Sequence, residues 1–302
     1  MIKLILSDLD DTLIRFGLPH ITRYALDAIH AAQDEGVHFG PCTGRIHRDL
    51  GWMFDEDERA YATGVNVNGQ DVYLDGELIF EKPLDAEALD RAARAIAGEY
   101  GPAARVGTVL QESESIAIGI SMADVAAHPQ EFHRISRVSA HVPEGTWVKA
   151  NVRVVGDRAH SLQVRDLVAS LCPEFDFIYP NPRGSLFDVL PHGWDKAKGA
   201  DVLRPALGIQ KDEVCFFGDA ANDLAMMHAF PNAVAVSNAA DEVSDFARWH
   251  IGSTSDDAVA DAIWDIALAA QEGRMPLFMS PVDNLGALGL RASGSRGLDR
   301  FR

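Results

Sequence analysis

The sequence predicts a doubly wound, Rossmann-like α/β fold whose parallel sheet is interrupted by an inserted α+β unit. Three observations carry this expectation. Apolar runs without polar alternation, such as Ile2 to Leu6 and Val214 to Phe217, suit strands buried on both faces of a parallel sheet. The first run is followed by a helical pattern and a second strand-like run, the order that a right-handed crossover joins. The rhythm then gives way to hairpin and mixed patterns, and returns near residue 186.

Taken in order, the strand at Ile2 to Leu6 ends at Asp8. From Thr22 to Glu35, Ala25, Leu26, Ile29 and Ala32 keep helical spacing, with Thr22 as N-cap and Gly36 as stop. Val37 to Cys42 reads as the next strand. Between 63 and 81, Asn68-Gly69 and Asp75-Gly76 mark hairpin turns. After Pro83, a helix over Asp85 to Ala97 leads into a mixed block: strands near 105–110, 115–121, 147–155 and 175–179, with a helix interrupted near Pro129 and another over 159–171. A core strand is expected at Leu186 to Leu190, then a helix from Asp195 to Leu207 closed by Gly208, then the strand Val214 to Phe217. These limits divide the chain into a core (1–83 and 185–273), an inserted unit (84–184) and a tail rich in Gly, Ser and Arg (274–302).

The chain has 302 residues, 47% hydrophobic and 24% charged, the composition of a globular protein of about two domains. Its net charge of −18 repels nucleic acid and anionic lipid, so neither is an expected partner. The 84–184 stretch holds 13 acids and 10 bases, net −3, and is the less repulsive wall for an anionic ligand. Cys42, Cys172 and Cys215 lie far apart with no zinc spacing, and no apolar stretch reaches the length of a membrane span; a cytoplasmic protein is expected.

Four segments carry chemistry. Ser7-Asp8-Leu9-Asp10-Asp11-Thr12-Leu13 sits where a buried strand ends, and open α/β sheets bind ligands at such carboxyl ends. In extended chain, Asp8 and Asp10 would face one site. Gly218-Asp219-Ala220-Ala221-Asn222-Asp223 supplies further acids after another strand. Crowded carboxylates repel unless a cation neutralises them, and an all-oxygen set suits Mg²⁺. Thr43-Gly44-Arg45 offers a hydroxyl and amides to a phosphate, and Lys196 in Gly193-Trp194-Asp195-Lys196 offers a point charge. Alone, an acid cluster reads as solvated surface and Thr43-Gly44 as a common turn. The ordered set of four reverses that reading.

In this order the segments resemble the motifs of the haloacid dehalogenase superfamily: DLDDTL its DxDxT motif, TGR its Ser/Thr motif, GWDK its lysine motif and GDAAND its GDxxND motif. The long insertion between the second and third motifs is similar to the α/β (type IIB) cap of the Cof-like branch, which includes sugar phosphatases and phosphomannomutases. The resemblance implies a Mg²⁺-dependent phosphatase acting on a small phosphorylated metabolite, a sugar or polyol phosphate, through an aspartyl-phosphate. Asp8 would be the nucleophile and Asp10 the acid/base. Asp8, the Asp10 backbone carbonyl and Asp219 would hold Mg²⁺, with Asp223 a ligand or an orienter of its waters. Thr43, Gly44, Lys196 and Asn222 would hold the phosphoryl group. Lys198-Gly199 also imitates the branch's lysine motif, so Lys198 is a rival to Lys196, while Arg45 reads as loop support. A phosphomutase is the enzymatic alternative, and a catalytically silent binding or regulatory module the other. The eleven histidines show no paired ligand spacing and receive no role.

Overall fold

The structure, a computed structural model, describes residues 1–280 except 16, 102–103, 111–114, 128, 130–134 and 181–183, and of 104–110 the backbone alone. In chain order it runs β1 (Leu4–Ser7), α1 (Arg23–Asp34), β2 (His38–Pro41), β3 (Gly64–Asn66), β4 (Asp71–Leu74), β5 (Glu77–Glu81), α2 (Ala86–Tyr100), β6 (Ala104–Leu110), β7 (Ser115–Ile118), α3 (Met122–Ala127), β8 (Arg137–Ser139) and β9 (Trp147–Val154). It continues with α4 (Arg158–Leu171), β10 (Phe175–Ile178), β11 (Phe187–Pro191), α5 (Lys196–Ala206), β12 (Val214–Gly218), α6 (Leu224–Ala229), β13 (Asn232–Ala235), α7 (Asp241–Phe246), β14 (Trp249–His250) and α8 (Ala258–Glu272).

Among the described residues these strands form three sheets. The first is parallel throughout, in the order β14-β13-β12-β1-β2. Its strands are apolar on both faces because each face has its own core. Ile5, Cys215 and Phe217 pack with α1 and α8, whereas Leu4, Leu6 and Phe216 pack with α5 and α6. This is the doubly wound α/β arrangement expected, and it puts the carboxyl ends of β1, β2 and β12 side by side. Helix starts follow the predicted chemistry: the Thr22, Asp85, Asp157 and Asp195 side chains each accept from the backbone N–H three residues on.

The second sheet is mainly antiparallel, in the order β10-β11-β9-β6-β7-β8. Ala88, Leu89 and Ile96 of α2 and Val164 and Val168 of α4 cover one of its faces, packing on Ala150, Val152, Val154, Phe187 and Val189. This is the inserted α+β unit. The third sheet, β3-β4-β5, bears both predicted turns, with Asp75 and Gly76 at φ of 52° and 85° in the tight one. Gly69, at φ 98°, lies so close to Asp195 that a Cβ there would overlap its carbonyl, so the Asn68-Gly69 turn packs directly on the start of α5.

Two expectations are corrected. The strand at 187–191 does not return to the parallel sheet: it pairs antiparallel with β9 and β10, with Phe187 opposite Val152 and Val189 opposite Phe177. Its continuous burial imitates a parallel strand because the cap core covers one face and Asp188 is buried on the other. The parallel core therefore resumes at α5. The segment from 274 is not wholly a tail either. Phe278 and Met279 are buried in the core beside α8, and Arg274 pairs with Asp265 at 3.1 Å. Two apolar side chains anchor this stretch without creating a periodicity. The rest of the expected tail, 281–302, lies outside the described residues.

The third sheet also holds a strained pair. Asp71 is 2% exposed and sits directly across from Glu81, and Asp71 Oδ1 and Glu81 Oε2 are both buried without a hydrogen-bond partner. Burial, reinforced by the charge of Glu81, pushes the Asp71 carboxyl up to about 7 from its ordinary 3.8. Between those values the folded chain binds a proton that the unfolded chain has lost, so stability falls as pH rises through this window and the loss is complete above it. Asp71→Asn, which cannot ionise, is expected to raise the melting temperature at pH 8 by about 2 °C or more, as about 1 kcal/mol implies for a chain of this size, and to change it little near pH 4. Equal effects at the two pH values would contradict an ionised, unpaired Asp71.

Candidate active site

The carboxyl ends of β1 and β12 bring the first and fourth motifs together. Asp8 follows β1 directly, its N–H donating to the Phe217 carbonyl at 2.9 Å, and is 6% exposed. Asp219 follows β12. Thr12 Oγ1 donates to Asp219 Oδ1 at 2.7 Å, tying the two loops. Asp223 is fully buried; its Oδ2 accepts from the N–H groups of Asp219 and Ala220 at 2.9 and 3.1 Å, which closes the fourth-motif loop on itself.

Lys196 fills the centre. Its side chain is 0% exposed, and Nζ lies 2.6 Å from Asp8 Oδ1 and 2.7 Å from Asp223 Oδ1. Asp195 caps α5, so the first residue of the helix starts beneath the two carboxylates. Lys198 goes elsewhere. It lies among exposed groups at the helix surface, where Nζ donates to the Gly193 carbonyl. Burial alone would lower the Lys196 pKa, but Asp223 and Asp8 overcome it and drive it upward, so the ammonium stays charged.

Carboxylate oxygens of Asp8, Asp219 and Asp223 all lie within 4.8 Å of one another. Burial pushes Asp8 well above the ordinary carboxylate range against the pull of Lys196, with the charges of Asp223 and Asp219 adding to the rise. Asp219 is pushed up to about 7 by burial and by Asp223, opposed by its hydrogen bond from Thr12. One ammonium does not neutralise three crowded carboxylates. The donor set, oxygen only and short of positive charge, fits a hard divalent cation.

Asp10 departs from the extended-chain expectation. β1 ends at Ser7 and the chain turns, so the Asp10 carboxylate lies outside the cluster, 60% exposed, gripped by Arg45 Nε and Nη2 at 2.9 and 2.6 Å. Arg45, read from sequence as loop support, thus holds the candidate acid/base in place, and no sequence pattern announces that pairing. Thr43 is 1% exposed at the end of β2, its N–H donating to the Val65 carbonyl at 2.9 Å and its Oγ1 accepting from the Arg45 N–H at 3.3 Å. Gly44 follows it. Asn222 Nδ2 donates to Asn68 Oδ1 at 3.2 Å, linking the fourth motif to the Asn68-Gly69 turn, a contact that no spacing in the sequence marks.

A family model described as haloacid dehalogenase-like hydrolase matches residues 5–263. The chain belongs to this family. As such it is an enzyme of the haloacid dehalogenase-like hydrolases, and its inserted α+β unit forms a cap domain on the parallel core. YkrA of Bacillus subtilis, which carries a phosphatase name, is 25% identical over 269 residues, covering 88% of this chain and 98% of its own. Two solved structures share the fold. The subclass IIB sugar phosphatase BT4131 aligns with a TM-score of 0.71 at 19% identity, over 86% of this chain and 97% of its own. The phosphatase BT1666 from Bacteroides thetaiotaomicron aligns with a TM-score of 0.72 at 21% identity, over 89% and 96%. No helix among the described residues is long and apolar enough to cross a membrane.

Proposed function

We propose that this hydrolase cleaves the phosphoric monoester of a small metabolite, a sugar or polyol phosphate, through an aspartyl-phosphate on Asp8. The observation that carries the reading is the buried Lys196 ammonium held between Asp8 and Asp223 at the carboxyl end of β1. It keeps the Asp8 carboxylate fixed and its repulsion of an anionic phosphate partly cancelled. An Asp8 oxygen attacks phosphorus as the bond to the leaving oxygen breaks, and Asp10 gives that oxygen a proton. Asp10 then takes a proton from water as the water attacks phosphorus. The Asp8–phosphorus bond breaks and inorganic phosphate leaves. Thr43, the Gly44 N–H, Lys196 and Asn222 orient the phosphoryl oxygens, and Arg45 aims Asp10. Mg²⁺ held by Asp8, the Asp10 backbone carbonyl and Asp219, with Asp223 behind them, would supply the charge that lets one anion attack another. Support for a reducing, cytoplasmic setting comes from three buried, unpaired cysteines.

The test is a phosphate-release screen over phosphorylated sugars, polyols, nucleotides and cofactors. Release is expected from sugar or polyol phosphates, lost in EDTA and restored by Mg²⁺. Undiminished release after exhaustive chelation would remove the metal from this account, and with it the assigned role of Asp219.

A further inference from the structure

The cap sheet has one apolar face and one polar face. Ala150, Val152 and Val154 of β9 enter the cap core. Lys149 and Asn151, alternating with them, point the other way, and Asp188 on β11 lies directly across from Asn151. This polar face meets the phosphate loop. Lys149 Nζ donates to the Gly44 carbonyl at 2.6 Å and lies 3.3 Å from Asp188 Oδ2, which also accepts from Asn68 Nδ2 at 3.2 Å. Through Asn68 the chain of contacts reaches Asn222. Within this otherwise paired group, Asn151 is 8% exposed and its Oδ1 is buried without a hydrogen-bond partner. Native interiors seldom leave such a carbonyl orphaned, and one directly across the sheet from Asp188 is an acceptor waiting for a donor.

We propose that Lys149, Asn151 and Asp188 form the subsite for the leaving group, and that they select it by its hydroxyls. The inference rests on the phosphatase reading above and adds the residues that choose the substrate. An ammonium donor beside a carboxylate and an amide carbonyl, both acceptors, suits groups that donate and accept at once, as adjacent hydroxyls of a polyol or sugar do. Lys149 reaches them by releasing the Gly44 carbonyl, and Asn151 Oδ1 gains its missing donor. A leaving group without hydroxyls gives Lys149 no replacement for the Gly44 carbonyl and leaves Asn151 Oδ1 buried and unpaired, so it gains none of these contacts.

The experiment compares kcat and KM for glucitol 6-phosphate with those for p-nitrophenyl phosphate, whose leaving group has no hydroxyl. Lys149→Met and Asn151→Leu are each expected to lower the ratio of the two kcat/KM values at least about ten-fold, mainly through the KM of the polyol ester, and Lys149→Arg to restore part of it. A merely structural role would lower both esters together and leave the ratio unmoved. A ratio within about two-fold of wild type in both variants, or a wild type that prefers nucleotides to polyol and sugar phosphates, would overturn this inference alone. A wild type that hydrolyses no monoester in Mg²⁺ would overturn the phosphatase reading, and the inference with it.

Discussion

Asp8→Asn is expected to abolish phosphate release, by at least about 10⁴-fold in kcat, while leaving the protein folded. The reason is chemical before it is structural. An amide of the same size cannot attack phosphorus, and removing a nucleophile from a site that acts as a unit costs nearly the whole of its rate advantage. Folding survives because burial already holds the Asp8 carboxyl far above its ordinary range, so a neutral group is well tolerated there, and Lys196 keeps Asp223 as counter-ion. Phosphate release by purified Asp8→Asn within about ten-fold of wild type would mean that Asp8 only holds the metal.

Lys196→Met should produce the largest loss of stability of any single substitution in the site. Removing the ammonium leaves Asp8 and Asp223 buried and facing each other without a cation, and breaking a buried pair from one side costs about 3–5 kcal/mol. Measured in EDTA, so that no metal compensates, the unfolding midpoint in urea is expected to fall accordingly, and a second change, Asp223→Asn, to recover part of it by removing one stranded charge. Lys198→Met, at an exposed position, should unfold like wild type. A Lys196→Met variant as stable as wild type would contradict the central placement of this ammonium.

The sequence was most legible where the chemistry demands neighbours in the chain. Asp8, Thr43, Lys196 and Asp219 each stand at a fixed offset from a buried strand or helix start, so strand ends and caps place them without reference to the rest of the fold. What depended on distant pairing was hidden. That Asn151 faces Asp188 follows from the β9–β11 register, and that Lys149 meets Gly44 follows from where the cap sheet rests on the core; neither spacing leaves a trace in the chain. The expectation that Asp8 and Asp10 point the same way failed for a local reason: the two-residue alternation holds only within a strand, and β1 stops at Ser7. The 187–191 strand failed because burial on both faces does not say which sheet does the burying. Asp71 was missed because a buried, unpaired carboxylate looks in sequence like any polar residue after a turn.

The covalent intermediate on Asp8 is tested most directly by mass spectrometry of enzyme quenched in acid during turnover. Asp10→Asn keeps the nucleophile but lacks the base that drives hydrolysis, so with a phosphate ester of good leaving group it should accumulate protein carrying the mass of one phosphoryl group. The modified peptide should be the one containing Asp8, and Asp8→Ala should show none. Equal labelling of Asp10→Asn and of a double variant lacking Asp8, or a phosphoryl group mapped to another residue, would contradict the account.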